Sequence, residues 1–255
     1  MAKLDIKKMK AKLAQSKQRG KGGMFWKPKD GKQDIRIVPT ADGDPFKNYF
    51  FHYNVGEQGF LCPKRNFNED CAVCDFAHQL YKDGDEESIK MAKEISAKQR
   101  FFSPVIVRGD EDAGIKVYGY SKTVYEEFLG LVLNPDFGDI TDVDNGVDLT
   151  LQYGKESGAQ FPSTGVTPRR KSSELLPGKS AEEVKELLDS VPDFDELYDR
   201  VSSADARVAL DKHLAGDEGE VTDEGDDGTE KYGSSTASDE GGGASSVDSA
   251  FEQLS

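Results

Sequence analysis

All three cysteines of this chain, Cys62, Cys71 and Cys74, fall within thirteen residues, and no other feature limits its folding options as much. Three thiols cannot all pair as disulfides, so a reducing compartment and a metal site account for them better than a covalent staple does. With His52 upstream they form His-x9-Cys-x8-Cys-x2-Cys, four nitrogen and sulfur donors of the kind that tetrahedral structural zinc takes. The Cys71-x2-Cys74 pair is the most specific part, because a two-residue gap lets both thiolates face one ion from a tight turn. A buried or reactive thiol trio is the plain alternative. His78, four residues after Cys74 on a predicted helix, competes with His52 for the fourth place, and spacing alone does not choose between them.

A closed set of three thiolates and an imidazole leaves no open position for water, which argues against metal-assisted hydrolysis. A zinc deaminase would need His-x-Glu and Pro-Cys elements. Here His52 is followed by Tyr53-Asn54, and Cys71 is preceded by Asp70. The sequence also lacks a phosphate-binding loop, a nucleophile elbow and a dinucleotide fingerprint. We expect a protein that is not an enzyme, with one structural Zn2+ and no catalytic residues.

Charge is distributed very unevenly. Residues 1–40 carry twelve Lys and Arg against three Asp and Glu, whereas residues 181–255 carry five against twenty-two, within an overall net charge of −15. A basic arm, a nearly balanced body and an acidic tail suggest a chain that meets a polyanion and carries its own competitor for that surface. No apolar run approaches the roughly 20 residues of a bilayer span, and the Lys-rich start lacks the apolar stretch of a signal peptide. The expected location is the cytoplasm.

Short β-rich runs are predicted over residues 34–39, 48–53, 59–62, 101–108, 116–120 and 147–153, separated by Gly, Asp and Pro clusters. Helices are predicted from 72 to 81 running on toward 87–98, and over 121–133 with Ser121 as N-cap. Many short strands and few helices imply a mainly β fold with α insertions, built as a small barrel. Beyond Pro177 the pattern turns helical, with Ser180 and Glu183 as a capping box and a second helical segment over 193–214. Residues 216–255 hold twelve acidic residues against Lys231, a composition that cannot bury enough apolar surface to fold. Three regions result: a basic N-terminal arm over 1–23, a core over 24–215 and a disordered acidic tail over 216–255.

Aromatic residues repeatedly sit beside cations, as in Phe25-Trp26-Lys27, Lys64-Arg65-Asn66-Phe67 and Lys98-Gln99-Arg100-Phe101-Phe102. Tyr118 and Tyr120 similarly lie between Lys116 and Lys122. Single-strand binders need this combination, since cations track phosphates while aromatic faces stack bases without selecting among them. Each ring taken alone reads equally well as core. If 101–102 is strand, Phe101 and Phe102 point to opposite faces, one toward the core and one toward DNA. Arg169-Arg170-Lys171-Ser172-Ser173 is a further basic patch, explained almost as well by a charged turn.

The order and spacing of Asp34-Ile35-Arg36-Ile37-Val38-Pro39, His52, Cys62, Asp70-Cys71-Ala72-Val73-Cys74, Arg100-Phe101-Phe102 and Val105-Ile106-Val107 resemble the single-stranded-DNA-binding, helix-destabilising proteins of T-even-like bacteriophages. The resemblance implies an OB-fold-type barrel core with a zinc-binding subdomain, and His52 rather than His78 as fourth ligand. It places Lys98, Arg100, Phe101, Phe102, Tyr118, Tyr120 and Phe161 where that family contacts DNA, beside the aromatic-cationic candidates Lys64, Arg65, Phe67 and Lys122. It implies cooperative self-association through the arm, where Lys3, Lys7, Lys8 and Lys10 supply the charge. The acidic tail would recruit replication, recombination and repair proteins. There Val247, Phe251 and Leu254 form one apolar face if a partner groove induces a helix. The family's short basic motif with hydroxyls is degraded here to Ala97-Lys98-Gln99-Arg100, and Ile6-Lys7-Lys8-Met9 keeps the charge without the hydroxyls. The expected function is sequence-independent, cooperative coating and protection of single-stranded DNA in the cytoplasm of an infected bacterial host; the alternatives are a zinc-bearing transcription or replication adaptor without its own DNA affinity, and a zinc-dependent enzyme.

Overall fold

The computed structural model describes residues 23–56, 59–155 and 157–216. They belong to two compact units, one formed by the described residues within 23–47 and 101–193 and the other by those within 48–100 and 194–216. The expected arm and tail residues Lys3, Lys7, Lys8, Lys10, Val247, Phe251 and Leu254 lie outside the described residues.

The first unit is built on strands β1 (Phe25–Trp26), β2 (Gly31–Ile37), β5 (Lys98–Val107, from Phe101 onward), β6 (Lys116–Tyr120), β7 (Gly146–Gly154) and β8 (Ser163–Ser173). Their order is β1-β6-β5-β2-β7-β8. Only the short β1–β6 pair is parallel. Ile35 and Ile37 on β2, Val105 on β5 and Leu149 and Leu151 on β7 share a core with Val124 and Phe128 of helix α4 (Lys122–Val132). Ser121 stands at the N-cap of α4, but its side chain makes no capping hydrogen bond. Val38 and Ile106 join a second cluster with Leu175, against which Val184, Leu187 and Leu188 of helix α5 (Ala181–Leu188) pack. The predicted capping box of α5 is present in both directions, with Glu183 N–H donating to Ser180 Oγ and Ser180 N–H to the Glu183 carboxylate.

Arg36 lies between Ile35 and Ile37 in β2 and is fully buried. Its guanidinium donates to Asp148 Oδ1 at 2.9 Å and to the carbonyls of Asp142, Gly146 and Ser173. Arg108 donates to the same Asp148 oxygen at 2.7 Å, and Ser173 Oγ to the other at 2.9 Å. Burial pushes the Asp148 carboxyl up, but the Arg108 hydrogen bond and the charges of Arg36 and Arg108 outweigh this and hold it below the usual carboxylate range. A Cβ on Gly146 would stand 2.4 Å from Asp142 O and 2.5 Å from Arg36 Nη1, so only glycine lets the chain approach this closely.

The second unit contains β3 (Lys47–His52, from Asn48 onward), β4 (Phe60–Leu61) and helices α1 (Pro63–Phe67), α2 (Ala72–Asp83), α3 (Glu86–Ile95) and α6 (Ser203–Leu214). Strands β3 and β4 pair antiparallel, with Phe51 opposite Leu61 and His52 opposite Phe60. The helical pattern read as running on from 72 toward 98 is two helices. Gly84 at φ 75° ends α2, and Asp85 starts α3 by accepting from Ser88 N–H. Residues 98–100 are strand, not helix. The segment read as helical over 193–214 is a 3₁₀ turn at Phe194–Glu196 followed by α6, whose N-cap Ser202 accepts from Asp205 N–H at 3.1 Å. Ala206 and Leu210 of α6 are buried with Val73, Phe76, Ala77 and Leu80 of α2 and with Ala92 and Ile95 of α3.

Candidate metal centre and nucleic-acid surface

His52, Cys62, Cys71 and Cys74 converge in the second unit, with one ligand atom from each lying within 4.8 Å of all the others. Each arrives on a different local device. His52 ends β3, Cys62 caps α1, and Cys71 caps α2, which places Cys74 in the first turn of the same helix. Residues three apart on a helix share a face, so Cys71 and Cys74 point the same way. Cys62 reaches them because β4 is paired to β3, a pairing tightened by Gly59, where a Cβ would lie 3.0 Å from His52 O.

Cys62 Sγ and Cys74 Sγ are 3.4 Å apart. His52 Nε2 is 3.4 Å from Cys71 Sγ and 3.6 Å from Cys74 Sγ. A tetrahedral ion with bonds of about 2.3 Å to sulfur and about 2.0–2.1 Å to nitrogen requires separations of about 3.5–3.8 Å. The donors present therefore fit a tetrahedral ion with little adjustment. His52 Nδ1 lies 2.8 Å from the Ile95 carbonyl. A carbonyl only accepts, so Nδ1 carries the proton and Nε2 presents its lone pair to the thiols, as a metal-bound imidazole requires. Hydrogen bonds from the Cys71 and Cys74 side chains, with help from Arg65 N–H, hold the Cys62 thiol far below its usual range. Hydrogen bonds with the Cys62 and Cys71 side chains, together with burial, push Cys74 up. A cation among these sulfurs would favour the thiolate form of all three. His78 lies exposed on α2, outside the cluster.

The aromatic candidates fare differently. Phe101 and Phe102 are 3 % and 1 % exposed, which corrects the expectation that alternation would turn one of them outward. Both faces of β5 are covered here. Phe101 stacks on Tyr125 with centroids 4.0 Å apart, and farther along β5 the adjacent Val105 and Ile106 belong to two different buried clusters. Tyr118 and Tyr120 are also buried, and Tyr120 OH and Ser103 Oγ share a hydrogen bond of 2.7 Å. None of these four rings offers an open stacking face. Phe161, by contrast, is 50 % exposed.

Among the cations, Lys64 is exposed and pairs with Asp75 at 2.6 Å, and exposed Lys122 pairs with Glu126 at 3.5 Å. Lys98 donates to the Lys93 carbonyl. Arg65 lies over the Phe50 ring at 5.4 Å and Arg100 over Tyr53 at 5.9 Å. Phe67 has Arg200 over its ring at 3.9 Å. Phe50 and Tyr53 were missed from sequence because each is paired with its cation by folding, not by adjacency.

Among the described residues no helix is long and apolar enough to cross a membrane. The model of the family described as "gp32 DNA binding protein like" matches residues 29–215. The chain therefore belongs to this family of helix-destabilising, single-stranded-DNA-binding proteins, which are not enzymes. No curated protein matches the chain significantly.

Proposed function

We propose that the protein coats single-stranded DNA cooperatively and without regard to sequence, protecting it during viral replication, recombination and repair in the cytoplasm of an infected bacterium. Membership of the family over residues 29–215 carries this reading. In it, His52, Cys62, Cys71 and Cys74 hold one structural zinc ion, since three soft thiolates and an imidazole suit zinc better than oxygen-seeking magnesium or calcium. When bound, the ion ties β3, α1 and α2 into one lobe. Lys64, Arg65, Lys98, Arg100 and Lys122 contact phosphates, and exposed Phe161 stacks a base. Phe67, Phe101, Phe102, Tyr118 and Tyr120 act from beneath that surface by shaping it. Lys3, Lys7, Lys8 and Lys10 promote contact with a neighbouring copy along the strand. The acidic tail competes with DNA at low salt and presents Val247, Phe251 and Leu254 to replication and recombination proteins.

Titration with poly-dT and with duplex DNA, followed by quenching of Trp26 and tyrosine fluorescence, tests this. Tight binding to poly-dT that weakens steeply with salt, and much weaker binding to duplex, is expected. Equal affinity for duplex, or an affinity indifferent to salt, overturns it. Phe161→Ala should weaken poly-dT binding about fivefold to a hundredfold, the range spanned by losing one stacked base.

A further inference from the structure

The patch Arg169-Arg170-Lys171, left above between a nucleic-acid contact and a charged turn, lies in neither a turn nor a loop. It belongs to β8, at the end of the strand order. Leu149 of β7 opposes Pro168, yet Val147 opposes Ser172, so the register slips across this stretch and β8 bulges. Up to Pro168 the strand alternates between exposed and half-buried positions, while Arg169, Arg170, Lys171 and Ser172 are all exposed. An interrupted ladder re-aims side chains, and here it turns three consecutive cations to solvent.

The bulge is anchored from below. Ser173, at its end, accepts from Arg36 and donates to Asp148, and the Glu174 and Leu175 carbonyls accept from Arg108. Arg169 pairs with Asp34 at 3.0 Å. The side chains of Arg170 and Lys171 make no ion pair or hydrogen bond among the described residues. An anchored backbone presents these cations, so binding an anion there costs the ordering of their side chains but not of the chain that carries them.

We propose that the β8 bulge is a phosphate-contacting surface for single-stranded DNA, with Arg170 and Lys171 as its direct contacts. This rests on the single-strand-binding reading and extends it to a patch whose role the sequence left open. Three observations favour a nucleic acid over an acidic protein segment. No acidic residue occurs in β8. Ser163, Thr167 and Ser172 add exposed hydroxyls along it. Phe161, half exposed, stands just before the strand begins, and the nine residues to Arg170, at about 3.3 Å each, span at most about 30 Å. A strand stacked on Phe161 and laid along β8 would meet hydroxyls and then cations.

The test compares the full-length protein with Arg170→Ala/Lys171→Ala for binding to oligo-dT across a salt series, with thermal melting to confirm that the variant folds. Each lost phosphate contact lowers the logarithmic salt slope by about 0.7, so a drop of about 1.4 is expected, with affinity at low salt reduced at least tenfold. The charge-conserving Arg170→Lys/Lys171→Arg should keep the wild-type slope. If the double variant does not fold, Lys171→Gln alone should lower the slope by about 0.7. An unchanged slope, with the wild type binding normally, overturns the proposal and leaves the general reading intact. A wild type that does not bind oligo-dT overturns both. A double variant that binds DNA more tightly, with the gain abolished by removing residues 217–255, shows that the bulge holds the acidic tail instead and likewise overturns it.

Discussion

The unit around β2, β5 and β7 has a continuous apolar core of aliphatic and aromatic side chains with one buried ion network beside it. The unit around α2 and α3 has at its centre four side chains whose polar atoms converge, and two of its core residues, Cys62 and Cys71, belong to the proposed ligand set. The first derives its cohesion from surface removed from water. The second places donors where a core of its size would otherwise have apolar atoms, so under the proposed zinc reading its order depends on the ion those donors hold. That reading sets a self-sufficient unit against a conditional one.

The largest expected effect breaks the two apart. Removing the metal with a chelator, or replacing Cys71 with Ser, should abolish amide-exchange protection across α2 and α3 while β2, β5 and β7 stay protected. Structural zinc contributes on the order of 10 kcal/mol of apparent binding energy in small domains, far more than any single side chain. Uniform loss of protection in both units, or none in either, would erase the contrast.

A second perturbation acts on the self-sufficient unit. Asp148→Asn leaves buried Arg36 without its counter-charge and half-buried Arg108 with only Glu111, 3.9 Å away, at an expected cost of about 3–5 kcal/mol, read by urea denaturation at neutral pH. The Asp148 carboxyl is held below its ordinary value, so its contribution is present above the unfolded value of about 3.9 and is lost as pH falls through the folded one. Repeating the denaturation between pH 5 and pH 2 should therefore narrow the gap between wild type and variant. A gap constant across that range would mean that the network contributes through packing instead of charge.

The smallest effect sharpens the picture of the conditional unit. Ser202→Ala removes the N-cap of α6, the helix whose Ala206 and Leu210 complete the metal lobe's core, and should cost about 1 kcal/mol. Exchange in α6 should rise more than in α2. Equal increases would show that α6 and the metal lobe open as one piece.

Local chemistry was legible in advance. The cysteine spacing, the Ser180–Glu183 capping box and the positions of most strands depend on residues a few places apart, and the structure shows each of them. Strand β8 was not legible, because Gly165, Pro168 and a run of cations carry no apolar alternation and only pairing with β7 makes them a strand. The break at Gly84 was overlooked although a glycine in the left-handed region is a local stop signal.

The sequence by itself determined the donor set, the polar composition of the tail and the asymmetry of charge, since these are counts and spacings that no folding can change. It also carried the family, whose motifs keep their order along the chain. Only the tertiary structure decided which aromatic rings are buried, because exposure depends on what covers the second face of a strand. Period-two alternation names the faces and says nothing of their covering. Choosing between His52 and His78 without the family likewise required the fold, since 22 residues separate His52 from Cys74 and only strand pairing and a helix cap bring Nε2 to within 3.6 Å of that thiol. The role of Arg36 was hidden for the same reason. In the sequence it is one residue of a motif between two isoleucines, and it is a buried anchor only because Asp148, 112 residues away, meets it there.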